Sequence, residues 1–310
     1  MNTLNKEMFK LPYLNLGVCN ARPRFIMLVG VPGSGKTTLA EFLGGNDTVH
    51  LSSDTIREEL WGDANCQKDH AKVFELMHKR TLEALNAGYD VIYDATNITR
   101  KSRRAILGQL PANVIKECNI VWAPIEVCIK RDAARARTVG KEVIDSMLKR
   151  FEAPFYDEGF DFIRVKVSVH GCEFDPYKYY YDSVSALCIP HDNPHHSADV
   201  YEHCMLCGDY LKDKDIPQIV KTAGYIHDIG KPYTKVFTNA KGEPTETAHY
   251  YGHHSVGAWI SYGFICHDIT LAWLISTHMA PFINQKYYNS LNPLYKKWID
   301  VLHEADLAAH

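Results

Sequence analysis

The chain has no uninterrupted apolar run of bilayer length, no marked excess of charge of either sign, and an odd, scattered set of cysteines. Without such a run a spanning helix is excluded, and no membrane partner is expected. The opening string MNTLNKEMFKLPYLNLGV lacks the apolar core and small-residue cleavage site of a signal peptide, so a cytoplasmic location is expected. A formal net charge of -3 gives no global attraction to polyanions, so any polyanion site has to be local. Nine cysteines in 310 residues read as reduced thiols, because a chain of this size does not depend on disulfides. The one close pair, Cys204 and Cys207, reads as helix packing, with metal or redox chemistry as the lesser alternative. There is no internal repeat and no low-complexity segment.

What is present divides in two. The length suffices for two domains of ordinary size. Only His50, His70, His78 and His170 lie in the first 170 residues, whereas the other twelve of the sixteen histidines lie between His191 and His310. The stretch VHGCEFDPYKYYYDSVSALCIPHDNPHH, punctuated by Gly, Pro and Asp, reads as a connection, which places domains at 1–170 and 171–310. Before the join, strand-like RFIMLVG, TVHLSS, DVIYDAT and VIKECNIVWAP alternate with helical stretches. This predicts an α/β domain, a mainly parallel sheet with helices on both faces. After it, apolar residues recur at three and four spacing, which predicts an all-α domain.

GVPGSGKT fits the phosphate-cradling loop, directly after an apolar strand and before a helix. Gly30, Gly33 and Gly35 let the backbone turn its N–H groups inward around ATP. Ser34, Lys36, Thr37 and Thr38 complete the contact set, Lys36 meeting the β and γ phosphates and Thr37 the Mg²⁺. Asp54 follows the second strand at the carboxyl edge of the sheet, placed to take a proton from an attacking hydroxyl or to cap the next helix. Arg57 shares its face. Asp94 ends the third strand, placed to touch the Mg²⁺ shell, hold the acceptor hydroxyl or cap the helix from Thr99. IKRDAARARTVGKEVIDSMLKRFEAP reads as helix, glycine-containing loop and helix, a lid whose Arg131 and Arg135 cover the transferring group.

These strings resemble the P-loop kinases that phosphorylate 5′-hydroxyl ends of polynucleotides. The resemblance rests on GVPGSGKTT, SSDTIR, DATN with its following basic residues, and IKRDAAR with VIDSMLKRFEAP. It implies Asp54 as general base, Arg57 and Asp94 in acceptor binding, and Arg131 or Arg135 as the lid arginine.

In the second half, AGYIHDIGKP sets His227 beside Asp228 at a helix end, an imidazole and a carboxylate suited to a divalent metal. With His203 upstream and Asp306 downstream it resembles the HD phosphohydrolase superfamily, from about residue 195 onward. That resemblance implies His203, His227, Asp228 and Asp306 as metal ligands. It adds His253 or its neighbour His254, with His278, for a second ion, which Asp228 would then bridge; Lys231, one turn beyond Asp228, is placed to steady phosphate. His267, His303 and His310 read as packing residues.

The expectation is an α/β P-loop kinase domain followed by an all-α HD domain. One substrate that needs both chemistries is a broken RNA carrying a 5′-hydroxyl and a 2′,3′-cyclic phosphate. The chain would then be a bifunctional end-healing enzyme acting on RNA or DNA ends ahead of a separate ligase. It would use ATP and Mg²⁺ in one half and Mn²⁺, Ni²⁺, Co²⁺ or Zn²⁺ in the other. The alternatives are a small-molecule kinase fused to an HD nucleotidase, and an ATP-switched module with a silent HD half.

Overall fold

The structure, a computed structural model, describes residues 22–64, 66, 68–193 and 198–309. The N-terminal string and His310 lie outside the described residues. The order is β1 (Arg24–Val29), α1 (Lys36–Leu43), β2 (Thr48–Ser52), α2 (Ser53–Trp61), α3 (His70–Asn86), β3 (Asp90–Asp94), α4 (Arg100–Leu107), β4 (Ile115–Trp122), α5 (Ile125–Ala133), α6 (Lys141–Leu148) and β5 (Phe162–Val167). Then come α7 (Pro176–Ser185), α8 (Val200–Leu211), α9 (Gln218–Ile226), α10 (Lys231–Thr234), the hairpin β6 (Lys235–Thr238) and β7 (Pro244–Tyr250), α11 (His253–Ser261), α12 (Ile269–Thr277), α13 (Ala280–Ile283), α14 (Gln285–Ser290) and α15 (Pro293–Ala308). Among the described residues no helix is long and apolar enough to cross a membrane.

The first five strands form one parallel sheet in the order β2-β3-β1-β4-β5. β1 is central and buried from Phe25 to Val29, which accounts for its unbroken apolar run. The strand order reverses on either side of β1, so the loops after β1, β2 and β3 open on one crevice at the carboxyl edge.

Three features depart from the sequence expectation. β5 was not expected, because FIRVKV interleaves Arg164 and Lys166 with apolar residues. As an edge strand it buries Ile163 and leaves Arg164 to Glu117 at 2.8 Å. The expected connection contains α7, started by Asp175, whose carboxylate accepts from the N–H groups of Tyr177 and Lys178, with Pro176 in the first turn. The second half is helical except for the β6–β7 hairpin, whose turn is closed by the Asn239 side chain accepting from Lys241 and Glu243.

The helical half packs on the sheet half through one continuous apolar core. Trp122 Nε1 donates to Trp259 O at 2.7 Å, and Trp259 Nε1 donates back to Ala123 O at 3.2 Å. Beside this exchange Phe155 stacks on Trp273 with ring centroids 4.4 Å apart. The segment that carries Phe155 is held in turn by Arg103. Its guanidinium, fully buried, donates to Glu158 Oε1 and Oε2 at 2.7 and 2.8 Å and to Asn97 O at 3.0 Å. Removing one partner of a buried pair strands the other charge.

Arg103→Ala is therefore expected to cost roughly 3–5 kcal/mol and to lower the melting temperature. Arg103→Met with Glu158→Leu should recover most of that loss. Equal melting temperatures for the single and double variants would show that the pair does not anchor this segment.

Candidate active sites

The loop after β1 is a tight cradle. Gly33 and Gly35 have φ of 78° and 102°, in the left-handed region that favours glycine. A Cβ on Gly33 would lie 2.1 Å from Cys128 O, and one on Gly30 would lie 2.6 Å from Ser34 Oγ. Ser34 Oγ is buried without a hydrogen-bond partner, and Lys36 Nζ donates to Val31 O at 3.0 Å. Burial pushes the Lys36 ammonium pKa down, with Asp94 and Asp54 opposing. A backbone nest with an orphaned hydroxyl and an ammonium parked on a loop carbonyl fits a nucleotide's phosphates.

The cradle opens into a cavity of about 230 Å³ that gathers Lys36, Thr37, Asp54, Arg57, Asp94 and Arg135. Ser52 caps α2, so Asp54 is free of that duty and points into the cavity. Its Oδ1 meets Arg57 at 2.8 Å and its Oδ2 meets Arg137 at 2.9 Å. Asp94 does not cap α4 either, since Thr99 does; Asp94 Oδ2 lies 3.2 Å from His50 Nε2.

Arg131 does not enter the cavity. Its guanidinium donates to Ser168 O at 3.0 Å and to His170 O at 2.9 Å, tying α5 to the end of β5. Besides Arg57, the arginines in the cavity walls are Arg135 and Arg137, on the loop that Asp132 sets. Asp132 Oδ2 accepts from Thr138 Oγ1, Val139 N and Gly140 N at 2.7, 2.9 and 3.0 Å, which folds the lid loop back over the crevice. Burial would raise the Asp132 carboxyl, but these hydrogen bonds hold it below the ordinary range.

The second constellation sits deep between α8, α9, α11, α12 and α15. His203 Nε2 lies 3.0 Å from Asp306 Oδ1 and 3.7 Å from Asp228 Oδ2. His227 Nε2 lies 3.3 Å from Asp228 Oδ2 and 3.5 Å from Asp306 Oδ1. On the other side of the same carboxylate, Asp228 Oδ1 lies 3.3 Å from His253 Nε2 and 4.0 Å from His278 Nε2. It is His253, not His254, that faces Asp228; His254 turns toward Arg100, Ser276 and Thr277.

The imidazoles share one orientation rule. Nδ1 of His203, His227, His253 and His278 faces a backbone carbonyl, of Ala309, Gly224, Tyr250 and Ile275 respectively. A carbonyl only accepts, so Nδ1 carries the proton and Nε2 offers its lone pair inward. His253 and His278 bring their Nε2 atoms to 3.2 Å of each other, which two lone pairs tolerate only with a proton or cation between them. Burial pushes His253 down to about 4 and His278 down to about 3, keeping both neutral.

His227 Nε2 is buried with no directed hydrogen bond. Burial opposes its protonation, but Asp228 and Asp306 raise it well above the ordinary value, so the cluster takes a positive charge at the place a cation would fill. Imidazoles with Nε2 turned inward and ionised carboxylates in this arrangement fit divalent metal, a cation taking the place of the His227 proton, and Asp228 faces both groups of histidines.

Lys231 does not reach outward for phosphate here. Its ammonium holds Asp228 Oδ2 at 2.6 Å and His191 Nε2 at 3.2 Å. His191 and Cys207 were not among the expected site residues. His191 donates from Nδ1 to Ala198 O at 2.9 Å, and Cys207 Sγ lies 3.7 Å from His203 Nε2. The C-x-x-C spacing reads first as helix packing and only second as metal chemistry, and burial pushes the Cys207 thiol up to about 11; His191 had only its place in the histidine-rich half. His267 donates to Tyr262 O at 2.7 Å and His303 packs against Phe282, both as packing residues.

Fold and geometry together define a P-loop kinase-like domain joined to an HD domain. Residues 25–154 match the family described as AAA domain, and residues 195–305 match the HD domain family. An L-seryl-tRNA(Sec) kinase of Methanococcus maripaludis is 29% identical over 145 residues, covering 42% of this chain and 52% of that protein. The chain thus spans about half the length of this curated relative. The Pnkp1/Rnl/Hen1 RNA repair complex is similar at 22% identity and a TM-score of 0.38, over 44% of this chain and 45% of the other. A gluconokinase from Sinorhizobium meliloti 1021 is similar at 18% identity and a TM-score of 0.35, over 47% of this chain and 83% of the other.

Arg135→Ala and Arg137→Ala should each slow ATP turnover by about 10²-fold, as loss of a charge-stabilising donor does. Arg131→Ala should act mainly on melting temperature. Steady-state kinetics that put the main loss on Arg131 would overturn this assignment of the lid.

Proposed function

We propose that the chain heals nucleic-acid ends, phosphorylating a 5′-hydroxyl in the domain before residue 170 and hydrolysing a 2′,3′-cyclic or 3′-phosphate in the domain after it. The observation that carries this reading is the pairing of one acidic side chain, Asp54, facing the Lys36 cradle with a second, separate cluster built on Asp228.

ATP with Mg²⁺ supplies the transferable phosphoryl group when bound. Lys36 and the lid arginines would neutralise the charge that spreads over it, and Thr37 would hold the ion. Asp54 would take the proton of the attacking hydroxyl. Each of its oxygens takes one guanidinium and keeps a second lone pair for that proton, and Arg137 sits on the loop after α5. Closure over substrate would pass Arg137 from Asp54 to phosphate.

In the second domain a divalent metal, when bound, supplies Lewis acidity for opening a phosphate ester. His203, His227, Asp228 and Asp306 would hold one ion, and His253 and His278 a second across Asp228. An imidazole-rich set favours Mn²⁺, Ni²⁺, Co²⁺ or Zn²⁺ over Mg²⁺. Lys231 would keep Asp228 ionised and aimed. The healed ends, 5′-phosphate and 3′-hydroxyl, suit a separate ligase.

A second reading follows from the seryl-tRNA(Sec) kinase likeness: the acceptor hydroxyl would belong to a group esterified to tRNA rather than to a strand end.

The two readings separate on acceptors. Transfer of labelled γ phosphate to a 5′-hydroxyl RNA oligonucleotide should exceed transfer to seryl-tRNA and to nucleosides. Asp54→Ala should abolish it while leaving hydrolysis of a 2′,3′-cyclic phosphate end intact, and His227→Ala should do the reverse. Transfer confined to seryl-tRNA or to nucleosides would sink the end-healing reading.

A further inference from the structure

Between α4 on the sheet half and α14 on the helical half runs a groove that neither site uses. Its open part holds about 340 Å³ and has Arg100, Lys101, Arg104, Lys286 and Tyr287 in its walls. It continues into a recess of about 50 Å³ that shares Arg100 and Tyr287 and adds His254 and Thr277. The His254 ring lies 5.5 Å from that of His253 and 6.3 Å from that of His278. The groove thus reaches the rim of the metal-ligand cluster.

Its outer cations are not neutralised by ion pairs among the described residues. Lys101, Arg104 and Lys286 are exposed and make none there. Lys101 and Arg104, three residues apart, neighbour each other on α4. The one acid in the walls, Glu152, is engaged by the backbone N–H of Arg100 at 2.7 Å. Arg100 itself is built into the floor. Its side chain is 9% exposed, it donates to both Asp157 oxygens at 2.9 and 2.7 Å and lies over the Tyr287 ring at 3.8 Å, yet its Nε is buried without a partner. A lone mononucleotide in the cluster would leave the outer cations unmatched. A strand leaving the cluster would lay successive phosphates along them.

We propose that this groove carries the phosphodiester backbone of a single-stranded polynucleotide whose terminal phosphate ester enters the histidine cluster. The inference rests on the phosphohydrolase reading of that cluster and names its substrate as a strand rather than a small nucleotide.

The test uses Lys101→Glu/Arg104→Glu/Lys286→Glu in the full chain, with the corresponding triple Gln variant in case the Glu variant fails to fold. Binding is read by fluorescence anisotropy of a labelled single-stranded RNA with phosphate at both ends, across a salt series. Loss of three phosphate contacts should weaken binding and make the log–log salt slope shallower by about 2, at roughly 0.7 per contact for single strands. With Mn²⁺, kcat/KM for an RNA ending in a 2′,3′-cyclic phosphate should fall at least as far relative to that for bis(p-nitrophenyl) phosphate. An unchanged slope, an equal fall for both substrates, or equal binding of polyglutamate would overturn the groove. If the wild type hydrolyses neither substrate with any divalent ion, the phosphohydrolase reading fails, and the anisotropy comparison still decides the groove.

Discussion

The helical half is organised around one buried carboxylate. Asp228, 2% exposed, presents Oδ2 to His203, His227 and Lys231 and Oδ1 to His253 and His278. Burial would raise such a carboxyl, but Lys231 and His227 beside it hold it well below the ordinary range. A charge so deep is tolerated only when paired. The helix ends that converge there bring their imidazoles with Nδ1 already committed to carbonyls, which leaves the inward nitrogens for a cation.

The arrangement depends on the seam as much as on the cluster. His253 opens α11, and the same helix carries Trp259, which trades hydrogen bonds with Trp122 and Ala123 at the end of β4. His278 ends α12, whose Trp273 stacks on Phe155, and Ser276 accepts from Ala153 N at 3.2 Å. The elements that aim one cluster are thus packed on the strands and loops that aim the other. A shared core of this kind argues for a fixed spacing between two chemistries rather than two tethered modules.

Much of this was legible in the sequence where the chemistry is local. The glycine cradle, Asp54 and Asp94 follow strands directly, so strand ends alone bring them to one edge of the sheet. His227 and Asp228 are adjacent, and α8 and α15 show their apolar period. What was not legible depends on single-residue register or on distant partners. His253 and His254 differ by one step of a helix, and only the packing of α11 decides which faces Asp228. Arg137, which has no motif of its own, joins Arg135 at the cavity in place of Arg131 because Asp132 folds the loop after α5. β5 is obscured by its charged outward residues, α7 by its tyrosines, and His191 reaches Lys231 across 40 positions of chain.

The most direct test of the proposal that Asp228 serves two ions is metal content by mass spectrometry after dialysis against Mn²⁺. The account predicts about two ions per chain, as in two-metal hydrolytic sites, with His253→Ala and His278→Ala each retaining the first ion alone and Asp228→Ala retaining neither. Metal content unchanged in Asp228→Ala would contradict it.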